Sequence, residues 1–139
     1  MADLKQRVRG IFPDAHFGAP VDAARIAKAA ADLDWVFPPD LAALYGAFDG
    51  VLAGQGPSVL YPLEDVCIMN AMLRARANFP AFARTIVFFG DYGMGPLFGY
   101  QQDRVVSWSP DLGADPATVK DRGYDIWDAW RWYRESEFY

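Results

Sequence analysis

The chain has 139 residues, 53% hydrophobic and 16% aromatic, with thirteen basic against eighteen acidic side chains and a net charge of -5. That length suits one domain over 1–139, which would bury roughly two thirds of the unfolded surface without help from a disulfide or a structural metal. One cysteine, Cys67, excludes a disulfide framework and multi-cysteine zinc sites, the acidic balance disfavours direct nucleic-acid binding, and no apolar run reaches the ~18 residues needed to span a bilayer.

The first twelve residues, MADLKQRVRGIF, carry mixed charge and no apolar stretch of signal-peptide length, so a reducing, cytoplasmic setting is expected. Leu4, Val8, Ile11 and Phe12 recur at helical spacing until Pro13 and Asp14 stop the pattern. An alanine-rich second helix over 22–33 sets Ile26, Ala30 and Leu33 on one stripe, with Arg25 and Lys28 off it.

In 37–50, FPPDLAALYGAFDG, Pro38 keeps Phe37 out of the α region, Pro39 takes the first helical position and Asp40 complements the positive helix end. Leu41, Leu44, Tyr45 and Phe48 form one apolar face. Gly50 is expected as a left-handed cap, and Gly46, which costs about 1 kcal/mol against alanine, is expected beneath closely packed backbone. Residues 51–57 read as a glycine-rich loop and SVLY, 58–61, as a short strand. Pro62 opens a helix with Val66, Met69, Leu73 and Arg76 on one face, stopped by 78–80 before a short connection.

The stretch 85–108 predicts the sheet core. TIVFFG is apolar on both alternating faces, as in a strand buried on both sides. Gly90, Gly93 and Gly95, with Asp91 and Pro96, predict a turn, and LFGY and VVSW continue an antiparallel meander. The GDYGMG run lacks the Lys-Ser/Thr ending of a phosphate loop and leads into a strand, so a turn is the better reading. Residues 109–117 read as an irregular loop over one sheet edge. Over 125–136 a terminal helix carries the stripe Ile126, Trp127, Trp130 and Tyr133, with Asp128–Arg131 and Arg131–Glu135 at ion-pair spacing. The expected class is α+β: a central antiparallel sheet of about four or more short strands, N-terminal helices, a middle helix and an aromatic C-terminal helix.

In this order FPPDLAALYGAFDG, LYPLEDV, FFGDYGMGPLFGY and YDIWDAWRWY resemble successive segments of the SMI1/KNR4 family, also called the SUKH superfamily, from about residue 20 to the end. They are similar to its proline-led helix, its strand and helix start, its strand–turn–strand and its aromatic last helix. Phe37 stands where an aliphatic residue is usual and Asp49 where asparagine is commoner; both suit the same pocket and turn. The resemblance implies a bacterial immunity protein that binds and neutralises a cognate toxin domain, or a regulatory scaffold like fungal members. Neither catalytic residues nor a cofactor come with it.

Independent of the resemblance, no spacing brings His16 and Cys67 into a nucleophile pair. An acid cluster of Asp49, Asp91 and Asp103, which a small carboxylate-dependent hydrolase would need, is less favoured than turn carboxylates bonding their own backbone. The candidate partner-binding residues lie on loops at the sheet end: Asp49, Asp91, Tyr92, Met94 and Asp103. The partner expected from the net charge is a basic, nuclease-like toxin protein. Trp132 and Tyr139 fall off the apolar stripe beside Arg131 and Arg134 and suit either packing or an interface.

Overall fold

Helix α1 (Leu4–Arg9) begins under an Asp3 cap and delivers Val8 into the core; the computed structural model describes residues 3–139. Strand β1 (His16–Phe17) follows, then α2 (Ala23–Leu33), whose Asp22 cap accepts from the Arg25 amide. Helix α3 (Pro39–Ala47) starts at Pro39 as its sequence requires, and Leu41, Leu44, Tyr45 and Phe48 are fully buried. The chain continues through β2 (Val51–Leu52), β3 (Ser58–Leu60), α4 (Leu63–Arg74), β4 (Ile86–Asp91), β5 (Leu97–Gln101), β6 (Arg104–Trp108), β7 (Lys120–Gly123) and α5 (Ile126–Glu135).

The fold is α+β, with two antiparallel sheets ordered β1-β2-β3 and β4-β5-β6-β7. They meet where the Tyr61 amide donates to the Phe89 carbonyl at 2.7 Å. Gly90 is needed there for close approach rather than for turning, because a Cβ would collide with the Val59 carbonyl. Gly93 and Gly95 have the positive φ the turn demands.

The meander β4-β5-β6 stands as its sequence predicts, but it gains one strand at the β6 edge and a second sheet forms beside it. Residues 51–52, read as loop, form β2, and β7 pairs with β6 beyond the predicted 109–117 loop. These additions are two to four residues long, too short for an alternation to carry a signal before neighbours supply hydrogen bonds.

Of the face expected on α4, Val66 and Leu73 are buried, while Arg76 is exposed beyond the end of the helix and Leu63 and Asn70 join the inward side. Leu63, Val66, Asn70 and Leu73 are buried, while Ile68 and Met72 are exposed and Met69 is only partly covered. Asn70, 1% exposed, donates its amide to the Val66 and Phe88 carbonyls at 2.8 Å each and accepts from the Phe88 amide at 2.9 Å. It bonds both backbone groups of Phe88 beside the β4 bulge. The helix stops at Arg74, and its connection to β4 runs over 75–85 through a 3-10 turn at Ala81–Thr85 rather than directly.

Two further expectations are corrected. Gly46 is exposed, with nothing within 4 Å of where a Cβ would stand, so no backbone packs over it. Gly50 has φ +98, yet the α3 cap is Phe48 in extended conformation; Gly50 instead lets the chain pass Leu60 and Pro62. Asp40 does more than complement its own helix, since its carboxylate accepts from the Leu41 amide, the Ile126 amide and the Tyr100 hydroxyl. It thereby joins α3, β5 and the start of α5. The α5 stripe is buried as predicted, and Trp130 donates its indole N–H to the Val59 carbonyl at 3.1 Å. Of the two ion-pair spacings on α5, Asp128–Arg131 forms at 3.4 Å, exposed.

Candidate protein-binding cleft

The five sequence-selected residues do not share one face. Asp49 sits between α3 and β2, where its carboxylate accepts from the Leu63 amide at 2.7 Å and serves as the side-chain cap that α4 lacks at Pro62. Asp91 accepts from the Tyr61 hydroxyl at 2.6 Å and from the Gly93 amide at 2.9 Å. This bond and burial raise the Tyr61 pKa, burial contributing most. Asp103 is exposed in the β5–β6 turn, at the opposite end of β5 from the turn that holds Asp91 and Met94. The three carboxylates therefore do not converge. Tyr92 is 3% exposed, packed between Phe98 and Trp132 at ring distances of 5.0 and 5.2 Å. Met94 is 59% exposed at the tip.

His16 and Cys67 also stay apart. His16 is exposed on β1 and lines a cleft with Asp14 and Gln55, whereas Cys67 on α4 lines one with Arg25, Lys28 and Asp32. Burial pushes the Cys67 thiol up, and Asp32 adds to that, the reverse of nucleophile activation. Among the described residues no group of three His, Cys, Asp or Glu is placed to hold a metal ion.

What the glycine turn does border is a cleft of about 320 Å³ over the β6–β7 end of the sheet. Its floor is Tyr92, Ser107 and Trp108; Pro96 closes one side, and Leu112 and Thr118 of the 109–119 arch close the other. The arch is braced from inside: the Trp108 indole N–H donates to the Thr118 hydroxyl at 3.0 Å, and that hydroxyl donates to the Asp115 carbonyl at 2.7 Å. Asp115 turns its carboxylate back onto the Ala117 amide at 3.0 Å.

Strand alternation decides which charges face this space. Lys120 and Arg122 line it, while Val119 and Asp121 line the hollow on the other face of β7, where Asp121 pairs with Arg104 at 2.5 Å. The Asp121 carboxyl is held below the ordinary carboxylate range by the Gly123 amide first and Arg104 second. On the cleft side the Arg122 guanidinium lies 3.6 Å from the Trp132 ring, and its Nε donates to the buried Ser107 hydroxyl at 2.9 Å. No carboxylate of the described residues lies within ion-pair distance of Arg122.

Large apolar side chains stand exposed around this cleft. Leu112 is 49% exposed on its wall, Met94 projects from the bordering turn, and Phe138, 39% exposed, packs against Tyr92 and Trp132. Sequence reading selected Met94 and Tyr92 here but missed Leu112, Arg122 and Phe138. The signal available was thin: KDRG has no apolar alternation, and Phe138 lies beyond the terminal helix.

Among the described residues no helix is long and apolar enough to cross a membrane. No family model matches the sequence, and no curated protein matches it.

Proposed function

We propose that this chain is a cytoplasmic binding protein of the SMI1/KNR4 type that neutralises a cognate toxin domain by stoichiometric occlusion. The observation that carries the reading is the cleft with its exposed Met94, Leu112 and Phe138 and its Arg122–Trp132 stack. Large apolar side chains gathered at one place on a soluble surface are the mark of an interaction site, and Trp, Met and Arg are the types enriched where binding energy concentrates. The net charge of -5 suits a basic, nuclease-like partner, whose encounter it would speed. The ordered segments that resemble the SMI1/KNR4 pattern support the same class.

Co-expression with the toxin-type gene adjacent to its own provides the test. Protection of the host, a one-to-one complex and loss of both in a Met94→Asp/Leu112→Asp double variant that melts like the parent are the expected results. A parent chain that neither protects nor forms the complex overturns the reading. Capture of a non-toxin protein through the same face would instead assign a regulatory scaffold.

A further inference from the structure

We infer that the cleft beside Trp132 receives an acidic segment of the protein partner: an aspartate or glutamate carboxylate met by Arg122, with a neighbouring apolar side chain laid between Pro96 and Leu112. The inference rests on the reading of this cleft as an interface and names the chemistry of what enters it.

Three features of the site lead there. First, the guanidinium is held in place before any partner arrives. Stacking on Trp132 at 3.6 Å fixes its plane, and the Nε bond to Ser107 at 2.9 Å fixes its rotation. An arginine restrained in this way loses little conformational freedom on binding, and its two terminal nitrogens present the fork that matches a carboxylate. Second, local charge runs against the whole chain. The protein is acidic, yet two cations, Lys120 and Arg122, line the cleft against one acid, Asp115, one of whose oxygens accepts from the Ala117 amide. Lys120 is anchored to the Ala117 carbonyl at 3.1 Å, which keeps its charge at the wall. Third, the cleft sets the apolar flanks Leu112 and Pro96 next to the fork, so a charged residue alone would leave it unfilled.

This does not oppose a basic partner. Net charge acts across about 8 Å of screened solvent, whereas the Arg122 fork acts at contact. A basic protein can be steered by the first and seated by one acidic residue at the second.

The test uses the full chain, 15N-labelled, titrated with acetyl-Phe-Glu-amide and with its isostere acetyl-Phe-Gln-amide. With the glutamate peptide the Arg122 Nε–H and the Trp108 and Trp132 indole resonances should move saturably, with affinity about tenfold tighter than for the glutamine peptide. Arg122→Gln should erase that preference, and Arg122→Lys should keep part of it, since the charge stays and the fork is lost. Should Arg122→Gln fail to fold, the parent's response to the two peptides decides alone. Equal affinity, no binding at millimolar peptide, or shifts confined to another face overturns the inference. Protection from a toxin together with indifference to the glutamate peptide sinks this inference and keeps the interface; the opposite pair of results sinks the toxin reading and keeps the carboxylate site.

Discussion

Asn70 and Arg122 are both polar side chains laid against the sheet, and they are completed differently. At the α4–β4 junction Asn70 is enclosed, and both its amide and its carbonyl oxygen bond to backbone, two of those bonds to one residue. At the β7–α5 cleft Arg122 is half-buried, bonded through one nitrogen and stacked on an indole, with no carboxylate of the described residues within ion-pair distance. A polar group whose capacity is used up within the chain is architecture, because removing it strands buried partners. One with capacity left over, facing an apolar cleft, is equipped for a partner.

Substitutions can break or sharpen that contrast. The largest loss is expected from Tyr92→Ala, about 3 kcal/mol in chemical denaturation, because a buried ring packed between Phe98 and Trp132 leaves a cavity. The Gly93-containing turn is thus not a detachable binding loop, and a Tyr92 variant says little about the interface. Asn70→Leu follows at about 2 to 3 kcal/mol, since the Phe88 amide and carbonyl lose their partner in the interior. A loss under about 1 kcal/mol would mean that β4 finds other partners and that Asn70 is less committed than its bonds suggest.

Gly46→Ala should raise stability by about 1 kcal/mol, read as a higher melting temperature, because the position is helical, exposed and open. Met94→Ala belongs to the cleft side of the comparison: stability within about 0.5 kcal/mol of the parent, with weaker partner binding in a titration. A Met94 variant that melts much earlier would return the tip to architecture. The smallest effect is expected for Asp121→Asn on the outer face of β7, an exposed pair with Arg104. With its folded pKa lowered, Asp121 contributes fully above the ordinary carboxylate pKa and loses that contribution as pH falls through the folded value. Melting curves of parent and Asp121→Asn should therefore converge at acid pH.

Much of the helical grammar could be read directly. Pro38 and Pro39 define the start of α3, and the spacing of Leu41, Leu44, Tyr45 and Phe48 defines its buried face, because both depend on residues within two turns of one another. The same holds for the α5 stripe and for the strands of the meander, whose apolar runs are long enough to declare burial. Asn70 escaped that grammar: its place on α4 looks polar until β4 brings the Phe88 amide and carbonyl against it.

The cleft was the least legible part. Met94 could be picked out as a turn residue, but Tyr92 beside it was placed on the same surface, and only the packing of α5 and Phe138 puts its ring inside. Arg122 belongs to a charged tetrapeptide whose pairing with β6 is what divides its neighbours between two faces. By itself, the sequence determined the helices, the meander and the hydrophobic supply of one core, since those follow from periodicities carried by contiguous residues. Tertiary structure alone decided the short strands β1, β2 and β7, the inward turn of Asn70 and Tyr92, and the side of β7 on which a spare guanidinium stands. Each depends on a neighbour distant in sequence, whose hydrogen bonds and contact surface exist only once the chain has closed on itself.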